Sequence, residues 1–313
     1  MRKGNTLVQA IRRARNSETG APPLPKTWDE MSIPENLSST IQGEKFLVLD
    51  ERVKPDIKPD KIIIFCSKEQ QDLLNGADYW VADGTFEVVQ NTLFTQLFIV
   101  HALSPVGITV PCLYGLLPDK ETSTYQICFD YLKSQRVSKP GCMITDFEKG
   151  IIRAFQNSYP KVKLSGCDTH FKRSLRRKLS SKDLGLASLY ATNENFQTLV
   201  RYMWGLSLVP TDHIIPIWEN FVSDQYEMMI KDDEEDAFDG QKDAVDEWLG
   251  YFEKTYVGSL NWRTGNRQKP WYPHSFWSKR DSILSDVAET TNAVEGYDAA
   301  LKSSLSLSRN NTI

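Results

Sequence analysis

The sequence predicts an α/β fold, and three observations point to it. Apolar segments of strand character run from Tyr79 to Phe86, Phe94 to Leu103 and Gly107 to Leu117, separated by short gaps. Helix and strand patterns then alternate as far as residue 183. From Leu184 onward the strand signals stop and the patterns are helical.

Each element has its own justification. Residues 1–18 suit a short helix carrying Arg2, Lys3, Arg12, Arg13 and Arg15. From Gly20 to Pro59 the chain is rich in Pro, Ser and charge, as extended linkers are, with one short strand at Phe46-Leu47-Val48-Leu49. Lys61 to Cys66 is the next strand, and Ser67 is placed to cap a helix through Leu74. The gaps Gln90-Asn91-Thr92 and Ser104-Pro105-Val106-Gly107 fit hairpin turns. Pro111 inside the third apolar segment predicts an edge position or a bulge. A helix from Thr122 to Gln135 follows, started by Asp119 or Thr122. Cys142 to Thr145 is a strand, Glu148 to Ser158 a helix with Ile151, Ile152 and Phe155 on one face, and Val162 to Gly166 a strand. His170 to Leu179 is a basic helix. Three antiparallel strands, then helix, strand, helix, strand, helix, is the order of a ribonuclease H-like core with a mixed sheet.

The later part reads as an all-helical insertion. Segments 194–208, 213–231 and 241–255 are helical, with Trp204, Trp218, Trp248 and Tyr251 on apolar faces. Gly258 to Ser278 is punctuated by Trp and Pro and reads as irregular, and Asp281 to Ser304 as a long final helix. The expected organisation is an N-terminal segment over 1–75, a catalytic core over 76–183, the insertion over 184–280 and a C-terminal helix over 281–313. The end at Asn311-Thr312-Ile313 reads as a truncation.

Composition narrows the function classes. The five cysteines, Cys66, Cys112, Cys128, Cys142 and Cys167, are scattered and odd in number. That favours a reducing compartment over a disulfide framework. No signal-peptide pattern and no apolar run of membrane-spanning length occur. The net charge is −4, but the charge is segregated. Acid gathers in Asp232-Asp233-Glu234-Glu235-Asp236, and base near the N-terminus and from Lys172 to Lys182. A basic face can therefore still meet phosphates.

Asp83 and Asp146 each follow apolar strand residues and precede a turn or helix signal, 63 positions apart (146 − 83). Such positions suit capping, and equally suit hard-cation ligands at the rim of a sheet. Glu295 lies on the final helix beside Thr290, Thr291, Asn292 and a Gly296 that costs helix stability. From the residues alone Glu87, Glu148, Glu219 and Glu289 compete with it. Cys167 and His170 stand three apart at a strand-to-helix junction, half of what a zinc site needs, with no second pair at suitable spacing. Zinc is therefore not expected. Behind them Leu175 and Leu179 face inward while Lys172, Arg173, Arg176, Arg177 and Lys178 fan outward. That fan is either a solvated face or one that tracks DNA phosphates.

Over most of residues 20–313 the chain resembles the Mutator-like element (MULE) transposases. The resemblance rests on Trp80-Val81-Ala82-Asp83-Gly84-Thr85-Phe86, Leu113-Tyr114-Gly115-Leu116-Leu117-Pro118 and Met143-Ile144-Thr145-Asp146-Phe147-Glu148. It continues through Gly166-Cys167-Asp168-Thr169-His170-Phe171 and Thr291-Asn292-Ala293-Val294-Glu295-Gly296. Trp277-Ser278 stands where the family often has Trp-Asn, and the family's upstream zinc-containing DNA-binding module is missing. The resemblance implies a DDE transposase with Asp83, Asp146 and Glu295 as catalytic and metal-binding residues, and Cys167 and His170 as an accessory signature. It implies two Mg²⁺ or Mn²⁺ ions, and double-stranded DNA partners in the form of terminal inverted repeats and target DNA. It also implies a homo-oligomeric active complex, nuclear localisation and no membrane. The alternative is a domesticated or decayed transposase descendant that binds DNA without catalysis.

Overall fold

A computed structural model describes residues 25–50, 61–85, 89, 93–104, 107–232, 237–284, 294, 296–297 and 300–301. The expected basic helix over 1–18 lies outside them. The chain divides into two compact units: residues 1–164 with 292–313, and residues 165–291.

The sheet has seven strands. They are β1 (Leu47–Asp50), β2 (Ile63–Phe65), β3 (Tyr79–Thr85), β4 (Gln96–Leu103), β5 (Thr109–Leu117), β6 (Cys142–Thr145) and β7 (Lys163–Gly166), in the order β1-β2-β5-β4-β3-β6-β7. From β1 to β3 every neighbouring pair is antiparallel, and β3 pairs with β6 in parallel. The class is thus mixed α/β. The segment expected to be linker contributes β1, which with β2 extends the sheet beyond β5.

Local signals explain most boundaries. In the helix α1 (Lys68–Asn75), Ser67 Oγ accepts from the Gln70 amide at 3.2 Å and Gln70 Oε1 accepts from the Ser67 amide at 2.8 Å. This reciprocal capping box satisfies two otherwise orphaned donors. The helix α2 (Thr122–Ser134) is set by Asp119, whose Oδ1 accepts from the Glu121 amide at 3.0 Å and from Thr124 Oγ1 at 2.6 Å. Pro111 makes a bulge, not an edge. Strand β5 is interior, and its register against β4 shifts between Val100 and His101. Within β5, strand β2 pairs with Tyr114, Gly115 and Leu116 and does not reach Pro111, so no ladder on that side demands an N–H from it.

One face of the sheet carries the main core. Trp80 and Ala82 of β3, Phe98 and Val100 of β4, and Met143 of β6 pack with Phe129 of α2 and Phe155 of α3 (Lys149–Ser158). Edge-on aromatic contacts run from Phe98 to Phe129 at 5.8 Å and from Phe129 to Phe155 at 5.3 Å. The five cysteines are buried thiols. Burial pushes the Cys66 and Cys128 thiols up to about 12 and Cys112 up to about 11, so these are packing groups rather than nucleophiles.

The second unit is helical after β7. It contains α4 (Asp168–Leu179), α5 (Ala187–Thr192), α6 (Glu194–Gly205), α7 (Ile214–Ile217), α8 (Ser223–Asp232), α9 (Lys242–Phe252), α10 (His274–Trp277) and α11 (Arg280–Leu284). A π turn over Trp218–Val222 joins α7 to α8, and a second over Glu253–Val257 extends α9. The expected irregular stretch holds an antiparallel bridge, Leu260 to Arg267, and the short α10. Of the expected final helix, Arg280–Leu284 is helical, as are 294, 296, 297, 300 and 301, while 285–293 lie outside the described residues. Among the described residues no helix is long and apolar enough to cross a membrane.

Candidate functional site

Two strands of unequal reach bring Asp83 and Asp146 together. The parallel ladder runs Tyr79–Cys142, Trp80–Met143, Val81–Ile144 and Ala82–Thr145, and there β6 ends. The next residues along the two chains are Asp83 and Asp146. Strand β3 continues through Thr85 because β4 still pairs with it, so Asp83 is not at its strand's end as the sequence suggested. At the spacing of neighbouring strands the two backbones are about 4.8 Å apart. Both side chains are half-buried.

Register also fixes the face to which Asp83 points. Side chains alternate along a strand, and paired residues point to the same side. Trp80 and Ala82 point into the main core, so Val81 and Asp83 point to the opposite face with Ile144, and Asp146 follows directly on the end of β6. Each carboxylate is held by a backbone amide. Asp83 Oδ1 accepts from Gly84 N at 2.8 Å, and Asp146 Oδ1 accepts from Glu148 N at 3.0 Å. These bonds orient the two acids.

The same face carries a group that sequence reasoning passed over. His101 pairs with Val81 and is fully buried. Burial pushes its imidazole down to about 4. The ring is therefore neutral near pH 7 and adds no charge beside the aspartates. Its ring meets the Tyr297 ring edge-on at 5.7 Å, and the Tyr297 hydroxyl lies 3.5 Å from that of Tyr114. Tyr114 pairs with Ile99, which pairs with Asp83, so it belongs to this face as well. Tyr297 thus docks on the face that Asp83 shares, and Val294 is fully buried. The available signal was a lone titratable residue inside the apolar run Leu97-Phe98-Ile99-Val100-His101-Ala102-Leu103.

His101 gives unit 1 a pH dependence of definite sign. Its folded value of about 4 lies below the ordinary 6.5, so the unfolded chain binds the proton more readily. The stability is whole above about pH 6.5 and falls as pH drops toward 4, by roughly 3 kcal/mol from this residue alone. Urea midpoints taken across that window test this. His101→Phe is expected to flatten the slope there, and an unchanged slope contradicts it.

Glu295, Glu87 and Glu289 lie outside the described residues. Two other competing carboxylates are in structural partnerships. Glu148 accepts from the Tyr125 hydroxyl and pairs with Lys120 at 3.4 Å, and Glu219 pairs with Arg267 at 2.8 Å. A Cβ on Gly296 would meet nothing within 4 Å, so no described neighbour requires a glycine there. Among the described residues no group of three or more His, Cys, Asp or Glu side chains could hold a metal ion. The described donor set is the aspartate pair. Its chemistry, two hard oxygen ligands, fits a shared Mg²⁺ or Mn²⁺, and a second ion needs a further carboxylate.

The Cys-x-x-His segment and the basic helix belong to the second unit. Cys167 is the fully buried N-cap residue of α4, and His170 Nε2 lies 3.4 Å from Arg173 Nη1 in its first turn. Lys279, only 2% exposed, donates from Nζ to Ser165 Oγ at 3.0 Å and to the Gly166 carbonyl, just ahead of Cys167. A lysine in the run Trp277-Ser278-Lys279-Arg280 gives no sequence sign of burial. Cations assigned to DNA have partners within the unit. Lys172 pairs with Asp168 at 2.7 Å, Lys178 with Glu247 at 3.5 Å, and the Arg176 guanidinium lies 4.9 Å from the Trp204 ring centroid. Arg173 and Arg177 are exposed.

The model of the MULE transposase domain matches residues 79–174, from the first residue of β3 to the middle of α4. That span takes in Asp83, Asp146, Cys167 and His170. No curated protein matches the chain. The domain carries a transposase-related function and an interaction with DNA in general. Residues 79–174 thus carry a MULE transposase domain.

Proposed function

We propose that the chain is the ribonuclease H-like core of a DDE transposase that cuts and joins DNA with divalent metals. The observation that supports this is the parallel register of β3 and β6, whose ladder ends one residue before Asp83 and Asp146. The order of the central strands, β5-β4-β3-β6-β7, and their change from antiparallel to parallel at β3 support the fold assignment. Tyr297 meets His101 and Tyr114, and Glu295 stands two positions before it in the sequence.

The residues that would hold the metals are Asp83, Asp146 and Glu295. When bound, Mg²⁺ or Mn²⁺ supplies activation of the attacking oxygen and charge neutralisation at the scissile phosphate. The chain supplies placement. Gly84 N and Glu148 N fix the aspartate rotamers, and the paired strands fix their separation. Catalysis then rests on orientation, which rigid strands provide better than loops. Water attacks first in this scheme, and the liberated DNA 3′-OH second. The partners are terminal inverted repeats and target DNA, the working form is a homo-oligomer, and the compartment is the nucleus.

The test is strand cleavage of a duplex bearing the element's terminal repeats, with and without divalent metal. Nicking that requires Mg²⁺ or Mn²⁺ and vanishes with chelator is expected. DNA binding with no cleavage under any divalent metal would make the chain a non-catalytic transposase descendant.

A further inference from the structure

The stretch Ser259 to Tyr272 stands apart from the rest of this acidic chain. It holds Arg263, Arg267 and Lys269 and neither Asp nor Glu, whereas the whole chain has net charge −4. The backbone forms a tight hairpin. Asn261 N donates to the Asn266 carbonyl at 2.8 Å and Gln268 N to the Ser259 carbonyl at 2.9 Å, around the Leu260–Arg267 bridge. The tip is closed from within. Asn261 Oδ1 accepts from the amides of Arg263 and Thr264, and Gly265 takes a left-handed φ of 68° that suits glycine.

The base of the hairpin is clamped. Arg267 donates to Glu219 at 2.8 Å, to Glu253 at 2.6 Å and to the Gly258 carbonyl. Gly258 has φ 106°, and a Cβ there would sit 2.2 Å from the Gln268 carbonyl oxygen. Arg267 is thus structural, and its charge is spent inside the unit. Arg263 and Lys269 remain exposed on the hairpin.

Trp262 is held out at the tip, 80% exposed. Asn261, Arg263, Thr264, Gly265 and Asn266 around it are polar or glycine, and Leu260 at the base of the hairpin is the exposed aliphatic residue of the stretch. The Arg263 guanidinium lies 4.9 Å from its ring centroid. Trp271, also exposed, repeats the pairing with Lys254 Nζ at 5.4 Å. A rigidly presented indole next to cations, with no nearby acid in sequence, matches what unpaired bases and their phosphates offer. Paired bases inside a duplex have their faces covered and cannot stack on it.

We propose that the hairpin segment 259–269 binds unpaired DNA bases, with Trp262 as the stacking ring and Arg263 and Lys269 contacting the adjoining phosphates. This rests on the DNA-acting function proposed above and specifies the DNA form that this surface takes. The test is fluorescence anisotropy of the full chain, in chelator, with a labelled single strand, a duplex carrying a single-stranded overhang, and a blunt duplex. Trp262→Ala is expected to weaken the first two about tenfold and to leave the blunt duplex unchanged, with Trp262→Phe in between. Because the side chain is exposed, the variant's thermal unfolding should match the parent's.

Equal losses on all three probes, or none on any, would overturn the proposal. So would a change in self-association by sedimentation with DNA binding untouched. The two proposals fail separately. Metal-dependent cleavage with an indifferent Trp262→Ala sinks only this one, whereas Trp262-dependent single-strand binding without cleavage sinks only the catalytic assignment.

Discussion

Asp146→Asn is expected to abolish DNA strand cleavage while leaving DNA binding and folding intact. Asparagine keeps an oxygen that can accept from Glu148 N, so the turn after β6 survives. It loses the negative charge that a divalent cation needs. The expected fall in cleavage rate is on the order of a thousandfold, about 4 kcal/mol of barrier. Asp83→Asn should behave alike, since its Oδ1 bond to Gly84 N also survives the change. The check is a cleavage time course beside a binding isotherm and a thermal melt. Cleavage at the parent rate by either variant removes the catalytic assignment. A melt shifted by many degrees means that the aspartate is structural instead.

Trp277→Ala is expected to have the largest effect on stability. Trp277 is fully buried, stacks on Phe171 with ring centroids 5.4 Å apart and 14° between planes, and meets Tyr256 at 5.9 Å and Phe252 at 6.3 Å. Its Nε1 donates to the Tyr256 carbonyl at 3.2 Å. Truncation opens a cavity among these three aromatic rings and strips that carbonyl of its donor. Such changes cost about 3–5 kcal/mol, a large share of a typical domain's total stability. The damage should reach α4, because Phe171 is on that helix and Lys279, two residues past Trp277, holds Ser165 and Gly166 ahead of it. Denaturant unfolding followed by the fluorescence of the second unit checks this, with exposed Leu208→Ala as a control expected within about 0.5 kcal/mol. Comparable midpoints for the two variants would contradict the packing account.

Much of this was legible before any coordinates. Cys142 to Thr145 is the strand that the sequence predicted, residue for residue, because an apolar run between a glycine and an aspartate has few other uses. Ser67 announced its helix through local capping, although the partner is Gln70 rather than an acid. The addition of β1 and β2 beside β5 was not legible, since pairing between distant segments leaves little trace in a short strand within polar text. Pro111 was half legible: it signals a missing donor, but not whether an edge or a bulge accommodates it.

The site divides in the same way. Alternation along β3 and β6 made Asp83 and Asp146 candidates, and only the register made them neighbours. Glu295 came from resemblance to the family, and Tyr297, two positions after it, meets His101 and Tyr114. The basic helix illustrates the limit of counting charges. Lys172, Arg176 and Lys178 look alike in sequence, yet each has a carboxylate or aromatic partner within its own unit. Trp262 and Trp277 are indistinguishable by residue type, and the fold buries one and presents the other.

The most direct test of the central claim, that Asp83 and Asp146 share a divalent cation, is the anomalous diffraction of crystals grown with Mn²⁺. The expected result is an anomalous peak bonded to a carboxylate oxygen from each aspartate, and lost in crystals of Asp83→Asn. Mn²⁺ bound away from the pair, or held by one aspartate with the other turned aside, would contradict it.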